Sequence, residues 1–163
     1  MPKYFALILL LALMGACSKP TPGPEGIAQL DEVQSLAERF VLHGESGAIL
    51  AHLNLDGVPP DAAQKARITF EKWRGVPDHL KHTGTQVLSF TEYEAQRRED
   101  KKDLSEEMRN ALLSGIRWNV TPEKLIVFTF GSKDPKDTTT IVRWSAGAYQ
   151  SNGLWYFAAS YIP

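Results

Sequence analysis

Ile27, Leu30, Val33, Leu36, Ala37, Phe40 and Val41 recur three and four residues apart. That spacing lines one face of an α-helix, and Gly44 suits its stop. Ser46 then stands as a cap for a short second helix with Ile49, Leu50 and Leu53, ended by Asp56-Gly57. Pro59-Pro60-Asp61 opens a third, whose Ala63, Ala66, Phe70 and Trp73 share a face and which Gly75 suits as a stop. After Gly84 the period shortens to two. Val87, Ser89, Thr91 and Tyr93 alternate with Leu88, Phe90 and Glu92, which predicts a strand. From Glu92 to Glu107 seven acidic and four basic side chains are mixed in sign, the pattern of a solvated strand end and loop. Leu104-Ser105-Glu106-Glu107 begins a further helical stretch, with Met108, Leu112 and Leu113 expected to face inward.

The last third holds three runs rich in β-branched and aromatic residues, Leu125 to Phe130, Thr138 to Ala148 and Leu154 to Ile162. A long polar connection, Gly131 to Asp137, separates the first two. Ser151-Asn152-Gly153 joins the last two as a tight hairpin, because Asn-Gly tolerates positive φ. Read as one continuous strand, the final run turns Trp155, Phe157, Ala159 and Tyr161 one way and Leu154, Tyr156, Ala158 and Ile162 the other. Both faces are apolar. A sheet of that kind is covered twice, so helices are expected on one side and a pocket or a second subunit on the other. A homodimer through the sheet follows as the expected assembly.

The beginning of the chain has a different pattern. Lys3 precedes an unbroken apolar run from Tyr4 to Met14, followed by Gly15-Ala16-Cys17-Ser18. Eleven apolar residues are far fewer than the roughly 20 that cross a bilayer as a helix, so the run has the layout of a cleavable secretory signal. Gly15-Ala16-Cys17 resembles the lipobox of bacterial lipoproteins, in which the thiol receives a lipid before the peptidase cuts. The resemblance departs at Met14, where the pattern usually has Leu. It implies removal of residues 1–16, lipidation of Cys17, and anchoring to a membrane of the bacterial cell envelope. Ser18 resembles the sorting position that goes with the outer membrane, facing the periplasm. Residues 17–26, with three prolines and two glycines, read as a tether. Residues 27–163 remain as one ordinary domain.

Composition narrows the partners. Without Lys3 there are 17 basic and 19 acidic side chains, which gives no basic stripe and no case for nucleic acid. Cys17 is the only cysteine, so no disulfide within the chain holds the domain, and lipidation accounts for the unpaired thiol. Stability must come from the core.

Helices followed by an antiparallel sheet, ending in a strand, the Asn152-Gly153 turn and Leu154-Trp155-Tyr156-Phe157-Ala158-Ala159, resemble the nuclear transport factor 2-like superfamily. That resemblance implies an α+β cone in which N-terminal helices pack on a curved antiparallel sheet. The superfamily includes isomerases, dehydratases and transport adaptors, so the fold alone implies no activity. Its enzymes place an Asp base and a Tyr donor in the cone, and neither maps onto a residue of this chain. If the cone holds a pocket, Phe90, Trp144, Trp155 and Phe157 are the side chains expected to line it. Arg143, a charge between apolar neighbours in the penultimate strand, is the candidate to hold an anion.

Other chemistry is sparse. His79 and His82, three apart beside Asp78, have a spacing that suits a metal on one helical turn, but no third ligand is near and a solvated turn explains them. His43 and His52 lie near helix ends, where a cation complements the dipole. Ser89, Ser114, Ser145 and Ser160 lack a glycine-flanked elbow. No two glycines are separated by one residue, which excludes the dinucleotide fingerprint. Asn119-Val120-Thr121 matches a glycosylation acceptor by chance. No cofactor and no metal are expected. The resulting expectation is a non-catalytic ligand-binding or protein-interaction module of the envelope, with a small-molecule isomerase or dehydratase and a structural envelope protein as alternatives.

Overall fold

The structure, a computed structural model, describes residues 23–162; the signal, Cys17 and most of the tether lie outside them. The chain runs α1 (Leu30–His43), α2 (Gly47–Leu50), β1 (Leu53–Asn54), α3 (Pro60–Lys72), β2 (Leu80–Ser89), α4 (Phe90–Glu99), α5 (Glu106–Ser114), β3 (Arg117–Trp118), β4 (Lys124–Ser132), β5 (Ile141–Ser151), β6 (Leu154–Ala158) and β7 (Ser160–Tyr161). The class is α+β. Five strands form one open sheet in the order β1-β6-β5-β4-β2, and β3 pairs with β7 in a separate ribbon. The large sheet is mixed, because β1 runs parallel to β6 while the other neighbours are antiparallel. Among the described residues no helix is long and apolar enough to cross a membrane.

The three-and-four spacing of α1 does what it predicts: Val33, Leu36, Ala37, Phe40 and Val41 are buried. They meet one face of the sheet, formed by Ile126, Phe128 and Phe130 of β4, Ala146 and Ala148 of β5, and Phe157 of β6. Paired residues of neighbouring strands share a face, so the register Phe128↔Trp144 and Ala148↔Phe157 sets these side chains on the same side. α3 also lies on this side, with no fully buried residue of its own. It holds on through Phe70, whose ring meets Phe40 edge-on at 5.3 Å, and through Trp73, whose Nε1 donates to the Val41 carbonyl at 3.1 Å. At the turn of the last hairpin, Asn152 and Gly153 take φ of 52° and 79°, as expected of Asn-Gly.

Several expectations need correction, among them the antiparallel sheet, which is mixed. The strand expected over 87–93 ends at Ser89, and the stretch expected as a strand end and loop contains α4. Ser89 accepts from the Glu92 amide at 3.3 Å while Glu92 accepts from the Ser89 amide at 2.7 Å, a capping box that starts a helix despite the alternating pattern. The Ser89 hydroxyl, which donates to Glu92 Oε2 at 2.7 Å, and then the Ser89 amide hold the Glu92 carboxyl below its usual pKa. Leu53 belongs to β1, not to α2, because its backbone aligns with Phe157. On α5, Met108 and Leu112 are 54% and 49% exposed rather than inward. A polar clamp orients that helix: the Arg109 guanidinium donates to the carbonyls of Lys101, Lys102 and Leu104.

A further correction concerns the last strand, which breaks at Ala159 instead of running from 154 to 162. Asn119, just after β3, captures the Ala159 backbone: its own amide donates to the Ala159 carbonyl at 3.0 Å and its Oδ1 accepts from the Ala159 amide at 2.9 Å. Its Nδ2 donates to the carbonyls of Asn54 and Asp56 at 3.0 and 3.1 Å. One carboxamide thus joins the end of β1, the end of β6 and the end of β3. His79 lies in the expected turn, just before β2, whereas His82 belongs to β2 and packs its ring against Phe128 and Phe130.

Helices lie on both faces of the sheet, where the sequence placed them on one. The Tyr93 hydroxyl of α4 bonds Ser145 Oγ of β5 at 3.0 Å, and Leu125 and Val127 beneath are fully covered. Farther along that face Gly147 lets Trp118 and Pro122 close in: a Cβ there would stand 2.6 and 2.8 Å from them.

The β4–β5 connection is ordered by Asp137. Its carboxylate accepts from the amides of Thr139 and Thr140 at 3.1 and 3.0 Å and from the Thr140 hydroxyl at 2.5 Å. The Thr140 hydroxyl, and then the backbone amides, lower its pKa from 3.8 to about 2. A depressed carboxylate pKa makes these bonds complete above the unfolded value and lost as pH falls through the folded one. In an NMR titration the Thr140 amide shift should therefore move with a midpoint near 2 rather than 3.8; a midpoint at the ordinary value would remove this role for Asp137.

Candidate functional site

Because β6 ends at Ala158 and the chain turns aside to β7, the sheet forks between β5 and the last strands. A chamber of about 120 Å³ lies at the fork. Its walls are Ile49 and Leu53 from the α2–β1 segment, Phe70 from α3, Trp118 from β3, Trp144 from β5 and Phe157 from β6. The polar side chains of its wall are Ser145, whose hydroxyl is engaged by Tyr93, and Ser160, beside the indole N–H groups of Trp118 and Trp144. No ionisable side chain is in its wall.

Each aromatic wall has a structural cause. Trp144 is held between Phe40 and Phe128, at ring separations of 5.6 and 5.9 Å. Trp118 is drawn over Gly147 by the β3–β7 pairing and by the absence of a Cβ beneath it. Phe70 and Ser160 also line a wider groove of about 520 Å³ between Ala62, Ala66 and Thr69 of α3 and the Tyr161–Ile162 end of the chain. An apolar cavity of roughly 150 Å³ takes a single benzene-sized ring. The chamber therefore suits one ring or the end of a chain, and the groove suits whatever is attached to it.

Of the side chains singled out from the sequence, Trp144 and Phe157 come together in this chamber. Trp155 is half-buried beyond it, where its backbone exchanges hydrogen bonds with Ile27 at 2.7 and 2.9 Å. Phe90 is half-buried in the first turn of α4 and lines no part of the chamber. Arg143 projects to the other face, into a cleft of about 330 Å³ beneath α4 and α5, and is paired with Asp100. Arg97 in the same cleft is paired with Glu94 at 3.1 Å and lies 5.6 Å over the Tyr93 ring. Both guanidinium groups thus have a carboxylate partner, and an anion would have to displace it. Cys17 lies outside the described residues.

Phe70 and Trp118 escaped the sequence reading. The spacing of α3 places Phe70 on a helix face but not in a pocket, and Trp118 carries no local signal, since only the fork brings it over Gly147 of β5. Among the described residues no group of three or more His, Cys, Asp or Glu is placed to hold a metal ion. Comparison of the chain with family models, with curated proteins and with solved structures finds no match.

Proposed function

We propose that this chain is an exported lipoprotein, acylated at Cys17 and held at the envelope, most naturally at the outer membrane facing the periplasm, that binds a small apolar ligand without transforming it. The observation that carries the binding reading is the fork chamber, whose wall is four aromatic and several aliphatic side chains with two hydroxyls and no ionisable group. Such a wall recognises by apolar burial, at about 25 cal/mol per Å² removed from water. The nuclear transport factor 2-like relationship belongs to the same proposal. It is supported by helices that precede long antiparallel strands and by the Asn152-Gly153 hairpin, while the sheet itself stays open.

One experiment addresses site and anchor together. The full chain, expressed with labelled palmitate and placed in lipid nanodiscs, is titrated with the uncharged fluorophore N-phenyl-1-naphthylamine. Label is expected in the protein and not in Cys17→Ala, and dye binding should weaken at least about tenfold in Ala146→Leu, which fills the chamber. An unlabelled thiol would end the anchored reading, and equal dye affinity in the two proteins would end the chamber reading.

A further inference from the structure

The fork leaves one stretch of backbone without a neighbour. β5 is paired to β4 from Ile141 to Ala148, but to β6 only from Gly147 to Ser151. On that second side Ile141 to Ala146 have no strand beside them among the described residues. An open strand edge presents unpaired N–H and C=O groups and is a template for another extended chain. Its outer end is accessible, since Ile141 and Val142 are 62% and 43% exposed, and the edge becomes buried toward Ala146, which is 6% exposed. It also runs directly into the apolar chamber, whose wall includes Trp144 and Ala146 of the same strand.

We propose that the open half of β5 receives an extended segment of another protein as an added strand, with one apolar side chain of that segment entering the chamber. The proposal rests on the chamber being a binding site and names its occupant as peptide. The geometry also specifies the peptide. Val142 and Trp144 share the face of Phe130 and Phe128, so residues set beside them must be apolar, and they recur every second position. On the opposite face Arg143 is already paired with Asp100, so that side takes uncharged polar residues. The other long edge, β2, is less suited. It carries Lys81 and a register irregularity between His82 and Gly84, both devices that discourage pairing, and no apolar chamber adjoins it.

The test uses a fluorescein-labelled heptapeptide alternating Thr and Val with Phe at its centre, and two analogues N-methylated on its two alternate sets of backbone nitrogens. The full chain in nanodiscs should bind the parent, lose at least about tenfold in affinity for the analogue whose blocked amides face β5, and keep the other. Val142→Lys, a charge placed at an exposed edge position, should weaken the peptide at least about tenfold while N-phenyl-1-naphthylamine binds as before. Failure to bind the parent, or equal affinity for all three peptides, overturns strand addition. Dye binding that survives this failure shows that the chamber reading stands alone, and its loss as well shows that both have failed. Self-association of the chain, relieved by Val142→Lys and without peptide binding, also overturns the proposal by making a second copy the occupant.

Discussion

Phe128→Ala should lower the unfolding free energy by about 3–5 kcal/mol, the cost of removing a buried phenyl ring from a packed interior. Phe128 is 0% exposed at the centre of β4. Its ring lies 5.9 Å from Trp144 and 6.1 Å from His82, so the vacancy would open between three strands and could not close by moving one side chain. Urea unfolding should show a lower midpoint with an unchanged slope, since the surface exposed on unfolding is nearly the same. A loss below about 1 kcal/mol would mean that the sheet and α1 are not packed as described. Against a total stability of about 5–15 kcal/mol for such domains, the variant keeps only a thin margin.

The second large effect is at Asn119. Its carboxamide accepts from Ala159 and donates to Asn54 and Asp56, so Asn119→Ala removes three hydrogen bonds and strips a partner from the amide of Ala159, a residue 5% exposed. A buried donor left without an acceptor costs more than the net value of the bond, and the expected loss is about 2–4 kcal/mol. Hydrogen exchange gives the sharper readout. The Ala159 amide should exchange much faster in the variant, while the amides of β4 at the sheet centre fall only with global stability. Uniform loss of protection would show that Asn119 acts on the whole fold and does not hold the end of β6 in particular.

The strongly periodic parts of the chain were legible in the sequence. α1 and α3 follow their three-and-four stripes, and the Asn152-Gly153 hairpin forms where the turn chemistry places it. α4 was not, because Thr91 and Tyr93 alternate with Phe90 and Glu92 like a strand; the missed signal was local, Ser89 and Glu92 at capping-box spacing. The break at Ala159 had no local signal, since the apolar alternation continues past it and Asn119, 40 residues earlier in the chain, decides it. The candidate site divides in the same way. Trp144 and Phe157 were legible as inward aromatics, whereas Trp118 and the fork depend on pairings between distant segments. Arg143 was legible as an unusual charge, but its pairing with Asp100 depends on α4, the helix the sequence reading missed.

The start of the domain is stitched down before its first helix. The Glu25 amide donates to the Ala51 carbonyl, His52 Nδ1 lies 2.8 Å from the Glu25 carbonyl, and Ile27 exchanges two backbone bonds with Trp155. Traction on the chain ahead of Glu25 would be resisted by this cluster of bonds before α1 could begin to unravel. Mechanical load would pass at once into the α2–β1 segment, through Ala51 and His52, and into β6, through Trp155.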